Sequence, residues 1–142
     1  MAITTAMTNS YKRELMEAKH NHLLVGGNLF KMALYTDAAT LNKDTTAYTA
    51  ANEASGINYT GGGVDLVNID PALDVDAAHT QFQNAVWANS SISARGCLIY
   101  NSTAGGNSVS AHDFGQIFIS DAGDFTVVMP TNDGTTGLLR LV

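Results

Sequence analysis

WANSSISARGCLIYN, residues 87–101, holds the only tryptophan, the only cysteine and the densest apolar run of the chain. Turn-forming residues at 89–91 separate two apolar segments, so the pattern predicts two strands, 82–88 and 92–100, joined by a polar turn. In the second of these strands, both alternating sets of side chains are apolar. A strand of that kind is a central strand covered on both faces, or a strand with a bulge.

Short apolar segments also recur through the rest of the chain, separated by Gly, Asn, Asp and Pro. Asp-Ala-Gly at 121–123 predicts a tight hairpin between two of these segments. Many short strands with regular turn signals are typical of sandwiches and jelly rolls. The sequence therefore predicts a mainly β fold, an antiparallel β-sandwich or jelly-roll-like domain with one short N-terminal helix.

Length and charge limit the classes of function. The chain has 142 residues and a net charge of -6, and only 14% of its residues are charged. Beyond residue 44 the only basic residues are Arg95 and Arg140. Binding to a phosphate backbone needs clustered Lys and Arg, so we expect no nucleic-acid partner. No apolar run approaches the ~18 residues of a membrane span, so we expect no membrane partner either.

The N-terminal part carries the one convincing helix pattern, NSYKRELMEAK at 9–19, which Thr8 or Asn9 can cap. Its apolar side chains recur at helical spacing and form one stripe. A helix this short needs a partner surface, either the chain's own β core or a neighbouring subunit. We therefore expect residues 1–22 to form an arm and helix on a β-sandwich body, 23–142, within a single domain. The candidate contact residues are Met7, Tyr11, Leu15, Met16 and Ala18.

Patterns for chemistry are weak, and we expect no enzyme, no cofactor and no metal. His20 and His22 follow the helix, but two histidines without a carboxylate or cysteine partner are a poor metal signal. The single Cys97 excludes an internal disulfide, and its apolar neighbours predict a buried, unreactive thiol. One acidic cluster predicts a solvated turn, with Ca²⁺ binding as an alternative. Its members are Asp70, Asp74 and Asp76.

Several segments, in order along nearly the whole chain, carry a resemblance: MAITTAMTNSYKRELMEAKHN, FKMALYT, TTAYTAANEASGINYTGGGVDL, VWANSSISARGCLIYNS, DFG and FTVVMP. Together they resemble a family of small virion structural proteins of tailed bacteriophages, in particular capsid decoration (cement) proteins. The resemblance implies synthesis in the bacterial host cytoplasm and a place on the capsid surface. It also implies a homodimer or homotrimer that binds the outer surface of the major capsid protein shell and stabilises it.

A second function stays open within the same group, that of a tail or fibre component that recognises a host-surface glycan. Sugar-binding sites usually present exposed aromatic side chains with planar polar partners. Tyr48, Tyr59 and Trp87 are the candidates, although the apolar surroundings of Trp87 predict a core position.

Overall fold

The computed structural model describes residues 2–142, so Met1 of the predicted arm lies outside the described residues. The fold is mainly β, with 45% strand and 6% helix. The single helix named in the described part is α1 (Asn9–Met16). The strands are β1 (Ala6–Met7), β2 (Phe30–Tyr35), β3 (Gly56–Ile57), β4 (Val64–Asp65), β5 (Ala72–Asp74), β6 (Ala77–Thr80), β7 (Ala85–Asn101), β8 (Asn107–Ile119), β9 (Gly123–Val127) and β10 (Leu139–Leu141). The predicted fold class, an antiparallel, sandwich-like β domain with a short N-terminal helix, is confirmed.

The long strand β7 organises the main sheet. Its second half pairs with β2 on one edge and with β8 on the other. Its first half pairs with β9, and β3 pairs near its middle. Strand β1 adds to the outer edge of β8 and β4 adds to β2, which completes seven strands. A smaller antiparallel sheet has the order β10-β6-β5.

The polar turn predicted at 89–91 is wrong, because residues 85–101 form one strand of 17 residues. The pairing register shifts near Asn89, which adopts a left-handed φ of 50°. Strand β8 runs antiparallel to the second half of β7, and β9 continues in the same direction, antiparallel to the first half of β7. The tight hairpin predicted at 121–123 is therefore wrong too. Asp121 and Ala122 form a bend before β9, with Ala122 at a φ of 51°.

Side-chain hydrogen bonds explain why turn-forming residues make a bulge here. Ser90 Oγ and Ser120 Oγ lie 2.9 Å apart across the two bends. The backbone N–H of Asn89 donates to Asp124 Oδ1 at 3.1 Å. Short polar side chains can satisfy backbone groups in a bulge as well as in a turn, and local pattern does not distinguish the two.

The two apolar sets of β7 are explained by cover on both faces of the sheet. On one face, Ile99 lies in the larger core together with Leu139 of the small sheet. On the other face, Leu98 packs in a second core with Leu41 from the loop that follows β2. A bulge is present as well, since the register also shifts before Gly96. Both predicted explanations therefore hold.

Helix α1 begins as predicted and ends three residues early. The Thr8 side chain accepts a hydrogen bond from the Tyr11 N–H, which caps the first turn. At the other end, Ala18 has a φ of 59°, while its N–H donates to the Leu15 carbonyl and the Lys19 N–H donates to Glu14. These two bonds form a Schellman motif, which terminates the helix and usually has glycine at the left-handed position.

Candidate interaction surfaces

An open groove of about 400 Å³ lies between α1 and the small sheet. We call it the helix groove. Met7, Tyr11, Leu15 and Ala18 line it on the helix side, and Leu139 and Leu141 line it on the sheet side. Arg140 and Thr80 add polar groups, but most of the lining is apolar. Grooves of this kind are common sites of ligand or protein binding.

The structure brings four of the five predicted contact residues together in the helix groove. Tyr11 is only 2% exposed and belongs to the core, so the helical stripe packs mainly on the chain's own β body. Met7 and Leu15 are half-buried and leave part of their surface in the groove. Met16 lies outside the groove and is 92% exposed. A contact role for these residues stays a prediction.

A buried polar cluster that the sequence did not predict fixes α1 to the sheet. His20 Nε2 lies 2.9 Å from Glu14 Oε1. Asn101 donates to His20 Nδ1 at 3.0 Å, so the imidazole proton sits on Nε2 and is donated to the carboxylate. The second carboxylate oxygen accepts from Asn107 Nδ2 at 2.8 Å. The cluster therefore holds one wall of the helix groove against both ends of the β7–β8 turn.

His22 lies beside this cluster, beneath the helix groove. Its Nε2 is 2.7 Å from the Tyr11 hydroxyl, and its ring stacks on Phe30 with centroids 4.4 Å apart. Its Nδ1 has no hydrogen-bond partner among the described residues. Burial, with a smaller contribution from His20, lowers the pKa of His22 to about 4. The imidazole is therefore neutral at pH 7, which suits an aromatic core position.

A second open pocket, of about 410 Å³, lies between the end of β8 and β9. We call it the tip pocket, and its apolar lining is Phe114, Phe118, Ile119, Phe125, Val127 and Val128. Ile119 is 73% exposed, and Phe118 and Val128 are exposed too. In the described part of the chain, β9 pairs with β7 alone. A contiguous exposed apolar surface beside an unpaired strand edge marks an interaction site.

Ser110 and His112 alternate along β8, and their side chains meet. Ser110 Oγ lies 2.8 Å from His112 Nε2. Ser110 is only 1% exposed, and burial lowers the pKa of His112 to about 4. The next residue, Asp113, accepts a hydrogen bond from Arg95 Nε at 2.8 Å. The serine is out of reach of a substrate, so this pair acts as a hydrogen bond within the sheet.

Two of the three carboxylates that are clustered in the sequence stabilise separate loops, and the third is exposed in a turn. Asp70 accepts a hydrogen bond from the Leu24 N–H at 2.7 Å, and Asp74 accepts one from the Gly134 N–H at 3.1 Å. Asp76 is exposed in the turn between β5 and β6. Over residues 2–142, no three His, Cys, Asp or Glu side chains are grouped so that they could hold a metal ion.

Within the same residues, none of the helical structure has the length and apolar character needed to cross a membrane.

The aromatic candidates for glycan binding are engaged inside the chain. Trp87 is buried in the larger core, as predicted. The hydroxyls of Tyr48 and Tyr59 donate to the two carboxylate oxygens of Glu53, each at 2.6 Å. Burial, followed by the hydrogen bond to Glu53, raises the pKa of Tyr48 to about 12. These contacts join the loop residues to one another, and the Leu34 N–H of β2 donates to the Tyr59 hydroxyl at 2.9 Å.

The helix groove and the tip pocket are both open, mainly apolar surfaces that could bind a partner. Asn107 contacts α1 at one end of β8, and Ile119 lines the tip pocket at the other end. No protein-family model matches the chain, and no curated protein or solved structure is significantly similar to it.

Proposed function

We propose that the chain is a non-enzymatic structural protein of a bacteriophage virion, a capsid decoration or cement protein. It binds the outer surface of the major capsid protein shell through the helix groove and stabilises that shell. The sequence resemblance supports the virion role. The choice of the helix groove as the binding site rests on one observation. Four predicted contact residues line the same open apolar groove: Met7, Tyr11, Leu15 and Ala18.

The groove is suited to binding a protein segment because its helix wall is already fixed. The hydrogen bonds of Glu14 to His20 and Asn107 hold α1 in place before any partner arrives. A preformed surface loses less conformational entropy on binding than a mobile one. The apolar lining supplies the burial that drives association, and Arg140 offers a charged group beside it.

Shell stabilisation then follows from linkage. A protein that binds assembled shell better than free subunits shifts the equilibrium toward the shell. An oligomeric cement protein adds avidity, because each further contact with the same shell is intramolecular. Neither effect requires a reactive group or a cofactor.

Co-sedimentation of the purified chain with assembled shells tests this function. Leu141→Glu adds a charge to the helix groove at a side chain that is 56% exposed, so the fold should tolerate it. Ile57→Glu, at a 67% exposed position outside the groove, is the matched control. We expect Leu141→Glu to weaken shell binding by about tenfold or more, which corresponds to about 1.4 kcal/mol, and Ile57→Glu to bind like the unchanged chain. Equal binding by both variants would rule out the groove.

The tail or fibre alternative, with host-glycan recognition, stays a prediction. Its aromatic candidates have buried rings or hydroxyls that are hydrogen-bonded within the chain. No observation favours it over shell binding.

A further inference from the structure

The outer face of α1 carries an exposed apolar side chain within a basic surface. Met16 is 92% exposed and lies one turn after Lys12 and Arg13, which are exposed on the same side of the helix. Arg13 pairs with Glu17 at 3.8 Å, but an exposed pair of this kind is weak and easily exchanged for another. Methionine is flexible and polarisable, so it readily fills apolar pockets on partner surfaces.

The tip pocket complements this face through its apolar lining and its negative charge. Three of its lining residues are aromatic (Phe114, Phe118 and Phe125), and thioether sulfur makes favourable contacts with aromatic rings. Asp124 also lines the pocket, and Asp121 is exposed in the adjoining bend. No Lys or Arg occurs between Arg95 and Arg140. The segment that forms the pocket therefore contains no Lys or Arg that could neutralise these carboxylates.

A chain cannot place Met16 in its own tip pocket. Helix α1 contacts Asn107, whose partner on β7 is Asn101, whereas the tip-pocket residue Ile119 pairs with Ser93. The two partners on β7 are eight residues apart (101 − 93), which at about 3.3 Å per residue spans roughly 26 Å. The side chain that fills the pocket must therefore come from another molecule.

We propose that Met16 of one copy inserts into the tip pocket of a second copy, with Lys12 and Arg13 facing Asp121 and Asp124. The contact joins two different surfaces, so it assembles copies by reciprocal exchange or as a closed ring. A stable interface buries about 800 Å² per partner, more than one methionine supplies. The exposed Ile119 and the basic helix face around Met16 are then covered as well.

This inference deepens the proposed function, since it names the surface through which copies of the cement protein meet. It is tested in solution without shells, so its failure leaves the helix groove and shell binding untouched. Failure of shell binding would equally leave self-association intact.

Sedimentation velocity and light scattering of the full chain give the first test. We expect a concentration-dependent dimer or ring for the unchanged chain, weakened by added salt because charges contribute. Met16→Glu and Ile119→Glu should each give monomers, whereas Ile57→Glu, at an exposed position that lines neither the helix groove nor the tip pocket, should associate normally. A monomeric unchanged chain at concentrations well above micromolar would overturn the proposal, as would oligomers that neither substitution affects.

Cross-linking distinguishes the proposed pairing from other occupants of the pocket. Met16→Cys and Ile119→Cys chains are mixed under oxidising conditions, and the native Cys97 does not interfere because it is buried. We expect a disulfide between position 16 of one chain and position 119 of the other. Predominant 119–119 disulfides would show that like surfaces meet, and that result overturns the proposal. No cross-link, together with binding of an apolar dye to the pocket, would assign it to a small apolar ligand and overturn it too.

Discussion

At the residue scale, two histidines have pKa values that the fold lowers: His22, which is buried, and His112, which is half-buried. His22 lies against Phe30 and Tyr11, with Glu14 and His20 in the adjoining cluster. His112 bonds Ser110 within the sheet. Burial lowers the pKa of each to about 4, against an ordinary value of 6.5. Protonation of either histidine in the folded chain is unfavourable, because the charged imidazole would be poorly solvated there.

We expect stability to fall as the pH drops from about 6.5 toward 4. Over this range the unfolded chain binds protons at His22 and His112 that the folded chain does not, so the stability present above the unfolded pKa is progressively lost. The slope reaches about 1.4 kcal/mol per pH unit for each histidine. Urea denaturation across this range measures it, and His112→Asn should give a shallower slope. A constant free energy of unfolding would show that folding lowers the pKa of neither imidazole.

Cys97 should be inert in the native protein. The thiol is buried, as the sequence predicts, and burial raises its pKa to about 12. Only the thiolate reacts readily, so a thiol reagent should modify Cys97 slowly until urea unfolds the chain. A Cys97→Ala, Val25→Cys variant is the comparison and should react at once because position 25 is exposed. Rapid labelling of native Cys97 would contradict the two-sided cover of β7.

At the scale of elements, two turns contain residues that are poorly suited to them. Strands β5 and β6 form a two-residue hairpin in which Val75 has a φ of 56°, although a branched side chain is disfavoured there. Ala18 takes the left-handed position at the end of α1. Both side chains are exposed, so the effect of a substitution on stability depends on the backbone conformation and not on side-chain packing.

We expect Val75→Gly to raise the free energy of unfolding by about 0.5–1 kcal/mol, because glycine adopts a positive φ without strain. Ala18→Gly should act in the same direction at the helix end. Val25→Gly is the matched control, since Val25 is also an exposed valine but has no positive φ. Thermal denaturation of the three variants gives the comparison. Destabilisation by Val75→Gly as large as that by Val25→Gly would argue against the hairpin geometry.

The elements also show what sequence pattern could predict. Helix α1 and the two-sided burial of β7 follow from local periodicity, and both are found. The β5–β6 hairpin was missed because valine occupies a position where glycine is the usual signal. The single long strand β7 was missed because its polar residues bond across the ladder to Ser120 and Asp124. Those contacts join residues about 30 positions apart, which local pattern does not report.

The same limit applies to the candidate site. The helical stripe could be predicted, and four of its residues do line one groove. The buried cluster around His20 could not, because Asn101 comes from a strand 81 residues away. The sequence shows two histidines after a helix, and because histidine is intermediate in its tendency to be buried, this pattern does not predict a buried cluster. The tip pocket forms because β9 continues along β7. The sequence predicted a hairpin at this point, so the pocket could not be predicted.

At the scale of the whole molecule, the two open apolar surfaces lie at different ends of β8. We assign the helix groove to the shell and the tip pocket to a second copy. Under these two proposals, one molecule binds the shell and a second copy at the same time, and the avidity of the oligomer strengthens shell binding. The low content of charged residues is compatible with this role, since protein interfaces are depleted of Lys, Glu and Asp.

The most direct test of the central claim is the number of copies of this chain in each purified virion, measured by quantitative mass spectrometry against the major capsid protein. A cement protein should be present in numbers comparable to the major capsid protein. It should also be possible to strip it from the particle surface while the shell stays assembled. A handful of copies per particle would contradict the cement role and favour a tail or fibre position. Absence from the particle would contradict both.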